Sequence, residues 1–173
     1  MDLKQSIRSI KDFPKEGIIF RDVTTLFQDA AAFRQLMDEM AQSLKDKNVD
    51  VVVGPEARGF IMGAPLAYIL GAGFVPVRKP GKLPAETLSY SYELEYGQDT
   101  IEIHKDAIRP GMRVALVDDL LATGGTALAA CHLVEQLGGE IVAVRFAIEL
   151  EGMGGRELLG KYDVGAAMLF EGD

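Results

Sequence analysis

Cysteine is almost missing from the 173-residue chain: Cys131 stands alone, so no internal disulfide can form. A protein of that kind suits a reducing cytoplasm. No apolar run approaches ~18 residues, which excludes a membrane-spanning helix. The opening residues, MDLKQSIRSIKDFP, have no apolar stretch of the kind a secretory signal needs, so none is expected. Basic residues are in deficit, 18 against 26 acidic, and the net charge of -8 argues against nucleic-acid or anionic-membrane partners. Histidine is scarce too. His104 and His132 have no metal-ligand spacing with each other or with Cys131, and no Ser/His/Asp set carries a supporting motif. Repeats, low-complexity tracts and linkers are absent. What remains fits one soluble cytoplasmic domain, residues 1–173, with 48% hydrophobic composition to fill a core.

The spacing of apolar residues sets the fold class. Phe33, Leu36, Met37, Met40 and Leu44 keep a helical period, predicting an amphipathic helix over 30–46 with Asp29 as its N-cap. Residues 49–53, β-branched apart from Asp50, read as a strand buried on both faces. A helix over 59–70, strands over 74–78 and 114–117, a helix over 126–137 and a strand over 141–148 continue the alternation. Such alternation predicts an α/β fold, a central parallel sheet flanked by helices. One segment departs from it. In LSYSYELEYGQDTIEIH, period two around a Gly-containing turn predicts an antiparallel hairpin beside the main sheet. It follows KPGKLPAET, whose lysines, prolines and glycine suggest a mobile approach to a lid.

The stretch VALVDDLLATGGT carries the chemistry. Asp118 and Asp119 stand at the carboxyl end of a strand, where open parallel sheets bind ligands. Ala122, Thr123, Gly124, Gly125 and Thr126 then turn into a helix N-terminus, whose unpaired N–H groups and dipole favour a phosphate. The glycines let the backbone close in, and the threonines add hydroxyl donors. There is no Walker lysine and no G-x-G-x-x-G spacing, so nucleoside triphosphate and dinucleotide sites are disfavoured. Carboxylates beside one phosphate repel a second, yet they accept hydrogen bonds from a vicinal diol or hold a hydrated Mg²⁺. A ribose 5-phosphate satisfies both ends.

On this motif the chain resembles the type I phosphoribosyltransferases. FPKEGIIFRDVTTLF, GPEARGFIMG, VRKPGKLP and the YELEYG hairpin extend the likeness, in order and over nearly the whole chain, to the adenine phosphoribosyltransferase family. The resemblance implies the type I fold, with an N-terminal hood over about 1–30 and a hairpin lid over about 80–105. It implies transfer of a 5-phosphoribosyl group from phosphoribosyl diphosphate to adenine, giving AMP and diphosphate in purine salvage. It implies a homodimer and Mg²⁺ held mainly through substrate, with Asp118 or Asp119 reached through water.

Carried over position by position, the likeness makes Glu95, Asp118 and Asp119 catalytic, with Glu95 handling the purine proton. Glu56, Ala57 and Arg58 form the diphosphate loop, where many relatives have Asp-Ser at the first two positions. Arg78, Lys79 and Lys82 are further cations for the diphosphate. GIIFRD matches the adenine-recognition stretch, with the main chains of Ile19 and Arg21 reading the base and Phe20 stacking on it. Two rivals stand beside this reading. One is a phosphoribosyltransferase for another purine. The other is a non-catalytic sensor of phosphoribosyl diphosphate that binds nucleic acid, which the acidic charge opposes.

Overall fold

The structure is a computed structural model that describes residues 1–94 and 96–172. The chain opens with a short antiparallel ribbon, β1 (Arg8–Lys11) and β2 (Ile19–Asp22), then one helical turn, α1 (Thr24–Phe27). Next comes α2 (Ala30–Leu44), capped as the sequence predicts: the Asp29 carboxylate accepts from Ala31 N and Ala32 N. That cap satisfies donors the first turn cannot pair internally. Leu36, Met37, Met40 and Leu44 are buried by α2's apolar stripe.

The strands β3 (Val51–Pro55) and β4 (Gly73–Val77) flank α3 (Arg58–Leu70), which stops at left-handed Gly71. Asp50 explains why β3 starts after the predicted position. Its carboxylate accepts from Arg113 N at 2.8 Å, at the exposed entry to the sheet. A hairpin of β5 (Thr87–Glu93) and β6 (Gln98–His104) follows, then β7 (Arg113–Leu121), α4 (Gly125–Gln136) and β8 (Glu140–Glu151). The chain finishes with the single turn α5 (Gly155–Leu158) and β9 (Val164–Glu171).

The five central strands run parallel in the order β4-β3-β7-β8-β9. Chain order reverses between β3 and β7, so the crevice for a ligand opens there. Pairing of β3 with β7 ends at Val53 and Leu116, whereas β7 stays paired to β8 as far as Leu121. The sequence predicts a strand over 114–117; β7 instead carries its order on through Asp118 and Asp119 because β8 supports it.

Apolar layers cover both faces. Leu36, Met40, Met62 and Leu66 of α2 and α3 fill one, and Ala130, Leu133 and Val134 of α4 fill the other. Ile101 and Ile103 of the hairpin are buried in the second layer, and Leu88, Tyr90 and Tyr92 pack against it. Each buried side chain of Leu size contributes ~1.5–3 kcal/mol, so the base of the hairpin is docked. Among the described residues, no helix is long and apolar enough to cross a membrane.

Candidate active site

Strand β7 delivers the aspartates to the crevice with different surroundings. Asp119 is buried, and Arg58 at the start of α3 donates to its Oδ2 from Nε at 2.5 Å. Asp118 is partly buried, and its Oδ1 accepts from Asp119 N at 2.8 Å. Burial, and after it the charge of Asp119, pushes the Asp118 carboxyl well above the usual carboxylate range. The hydrogen bond to Asp119 raises the Arg58 guanidinium further. Gly59 makes this fit possible, since a Cβ there would lie 3.1 Å from Asp118 Oδ1 and 2.9 Å from Pro55 Cδ.

The glycine turn that follows brings bare backbone to the crevice. Gly124 is left-handed at φ 89°, and a Cβ on it would meet Gly155 Cα at 3.2 Å. No side chain caps α4, so the first-turn N–H groups face the crevice without an internal acceptor. Two adjoining cavities meet at this point. One of about 200 Å³ is lined by Glu56, Ala57, Arg58, Arg78 and Lys79 together with Asp118, Asp119 and Thr126. The other, about 530 Å³, is lined by Arg58, Tyr92 and the run from Asp118 to Ala127. Arg58, Asp118, Asp119 and Thr126 form the wall common to both.

Several candidate residues therefore converge, and their side chains divide the work. Glu56 accepts from Lys79 N at 2.7 Å and from Arg78 Nε at 3.2 Å. The Lys79 amide, and then the nearby Arg78 charge, hold its carboxyl below the usual range. It orders the cations and, being an anion, does not itself attract a phosphate. Lys79 Nζ pairs with Asp99 of β6, and Lys82 is exposed. The Glu56–Ala57 peptide is cis.

The candidate base-reading residues stand apart. Ile19, Phe20 and Arg21 lie on β2, and neither cavity's lining includes them. The Phe20 ring meets Phe13 edge to face at 5.2 Å. Arg21 donates to Ser9 Oγ at 2.6 Å and lies 4.7 Å over the Phe170 ring, so its guanidinium is engaged by β1 and β9. Glu95 lies outside the described residues. Cys131 is buried in α4, and burial pushes its thiol up to about 12, which makes it a core residue and not a nucleophile.

Sequence reasoning missed Asp22, Gly59, Tyr92 and Asp99. Asp22 accepts from Thr24 Oγ1, Arg8 Nη2 and Thr24 N, which brings its pKa down to about 2 and ties β2 to α1 and β1. Its only signal was an acidic residue closing GIIFRD. Tyr92 contacts Thr126 across the fold, a pairing no local pattern encodes.

Comparison with known proteins agrees with this geometry. The family model for the phosphoribosyl transferase domain matches residues 22–167. The chain is 61% identical over 171 residues to the adenine phosphoribosyltransferase of Clostridium tetani, covering 99% of each. It superposes on the crystal structure of adenine phosphoribosyltransferase from Thermoanaerobacter pseudethanolicus with a TM-score of 0.94 at 56% identity, covering 98% of each chain. For the Saccharomyces cerevisiae adenine phosphoribosyltransferase, crystallised with adenine and an imino-altritol bisphosphate, the TM-score is 0.88 at 42% identity, with 98% and 96% covered.

Proposed function

Because the chain belongs to the phosphoribosyl transferase family, we propose that it moves the 5-phosphoribosyl group of 5-phospho-α-D-ribose 1-diphosphate to adenine, releasing AMP and diphosphate in purine salvage. The relatives' substrates set the class of reaction, and the shared wall of the two cavities carries the reading. A paired carboxylate, an arginine and an uncapped helix turn stand there within reach of one small ligand.

In this reading the 5-phosphate takes the first-turn N–H groups of α4 and the hydroxyls of Thr123 and Thr126. The ribose diol takes Asp118 and Asp119. Arg58, half-exposed on its outer side, exchanges Asp119 for diphosphate oxygens, joined by Arg78, Lys79 and Lys82. As N9 of adenine attacks the anomeric carbon, the bond to the diphosphate breaks and its charge grows against these cations. Glu95 manages the purine proton, and the main chains of Ile19 and Arg21 read the base edge beside Phe20. The 80–105 segment closes as a lid and keeps water from the activated sugar.

The donor set fits Mg²⁺. Asp118 and Asp119 offer hard oxygen ligands, and among the described residues no cluster of three or more His, Cys, Asp or Glu could cage a metal. Such a set suits an ion that keeps water and takes most of its oxygens from substrate, with one aspartate reached through water. When bound, the ion neutralises diphosphate charge as a Lewis acid. A homodimer in the cytoplasm completes the proposal. The exposed apolar side chains Ile61, Tyr68 and Ile69 of α3 support self-association.

Incubating the protein with phosphoribosyl diphosphate, Mg²⁺ and adenine tests the reading. AMP and diphosphate should form in equal amounts, and chelating the metal should stop the reaction. A protein that binds phosphoribosyl diphosphate without forming any nucleotide would instead be a sensor.

A further inference from the structure

We infer that Tyr92 is a positioning residue for the 5-phosphate end of the substrate, acting through the hydroxyl of Thr126; the inference rests on the phosphate assignment proposed above. Tyr92 lies on β5, and its ring covers the turn: a Cβ on Gly125 would sit 3.5 Å from the ring's Cδ2. The phenol oxygen is 2.8 Å from Thr126 Oγ1 and 3.3 Å from Asp99 Oδ2. Asp99 in turn pairs with Lys79 Nζ. A continuous polar line, Lys79–Asp99–Tyr92–Thr126, thus joins the cation-lined cavity to the glycine turn.

The hydrogen-bonding capacity of each member limits what the line can do. Lys79 only donates, ionised Asp99 only accepts, and Tyr92 and Thr126 each own a single proton. Lys79 holds the Asp99 carboxyl below its usual range, so Asp99 stays an acceptor. Burial pushes the Tyr92 phenol up, so it keeps its proton. Two arrangements satisfy these limits. In one, Thr126 donates to Tyr92 and Tyr92 donates to Asp99. In the other, Tyr92 donates to Thr126, the Thr126 proton turns outward, and Asp99 is left to Lys79 and the Thr100 amide.

A phosphate in the turn is a strong acceptor and takes the Thr126 proton. It therefore selects the second arrangement, in which Tyr92 supplies the donor that fixes the Thr126 rotor toward the ligand. Hydrogen bonds in such a chain strengthen one another. Tyr90, two residues away on the same face of β5, stacks on His132 at 5.1 Å and anchors the hairpin on α4. Tyr90→Phe keeps that stack and provides the control for loss of a phenol hydroxyl from the same face of the hairpin.

The test titrates ribose 5-phosphate and, separately, inorganic diphosphate into the native protein and the variants Tyr92→Phe, Tyr90→Phe, Thr126→Ala and Tyr92→Phe/Thr126→Ala. Tyr92→Phe keeps the ring over Gly125, so its unfolding temperature should match the native one. It should weaken ribose 5-phosphate about three- to tenfold, the loss expected for one net hydrogen bond. Diphosphate binding should not change, and Tyr90→Phe should affect neither ligand. On the Thr126→Ala background, Tyr92→Phe should have no further effect, because the hydroxyl it orients is gone. Native-strength ribose 5-phosphate binding in Tyr92→Phe, an equal loss for diphosphate, or additive losses in the double variant would each overturn the inference. A native protein that binds no ribose 5-phosphate would overturn the phosphate assignment, and the inference with it.

Discussion

Asp118 and Asp119 are adjacent in sequence and unequal in setting. Asp119 has Arg58 as a direct partner, whereas Asp118 carries the burden of burial and like charge. A carboxyl whose folded pKa is raised binds its proton more tightly in the native state than in the unfolded one. Its ionisation therefore costs stability as pH rises from the unfolded value of 3.8 through the raised native one. Asp118→Asn keeps the acceptor for Asp119 N and removes that cost, so the variant should melt at a higher temperature than the native protein at neutral pH. Losing the ribose contact should meanwhile cut kcat/KM about ten- to a hundredfold, the loss of a hydrogen bond to a charged group. Thermal melts beside initial rates check both halves. Asp22 has the opposite sign. Its pKa falls from 3.8 to about 2, so its contribution is present above 3.8 and lost as pH drops toward 2. Asp22→Asn should cost about 1–2 kcal/mol at neutral pH after allowance for solvent screening. Denaturant melts should show the native and variant curves converging near pH 2.

At the scale of elements, the glycine turn before α4 is the most demanding backbone. Gly124→Ala would place a Cβ at φ 89° and 3.2 Å from Gly155 Cα. The left-handed conformation alone should cost about 1–2 kcal/mol. The displaced turn should also weaken ribose 5-phosphate more than it weakens diphosphate, a difference that titration of the two ligands would reveal. This turn was legible in the sequence because ATGGT carries its conformational reason in its residues. The cap at Asp29 and the stripe of α2 were legible for the same cause. β1, β2 and β9 were not. β1 and β2 are each four residues long, too short to show a period, and the apolar run of β9, residues 164–170, has Gly165, Ala166 and Ala167 in place of the β-branched residues that mark a strand. The extension of β7 through the aspartates depends on its partner β8, and the docking of Tyr92 on Thr126 on packing between distant segments. The side-chain partners of Glu56 were not legible in sequence. Its place in the expected diphosphate loop could be read there, but the bonds of its carboxylate to Arg78 Nε and Lys79 N join segments distant in the chain.

For the whole molecule, the sheet places its reversal of chain order between β3 and β7 and gathers cations there in a chain of net charge -8. The acidic remainder discourages indiscriminate binding of polyanions, while the cations of the crevice suit the small phosphorylated sugar of the proposed reaction. In the proposed function, specificity for the base falls to main-chain groups on β2. Fixed backbone donors and acceptors leave both partners unpaired when the wrong purine edge enters, so discrimination of roughly 10⁴ is within reach. The most direct measurement is a competition in which adenine, hypoxanthine and guanine at equal concentration share limiting phosphoribosyl diphosphate and Mg²⁺. AMP should be the dominant nucleotide, with IMP and GMP at trace level. Comparable yields of IMP or GMP, or no nucleotide at all, would contradict the account.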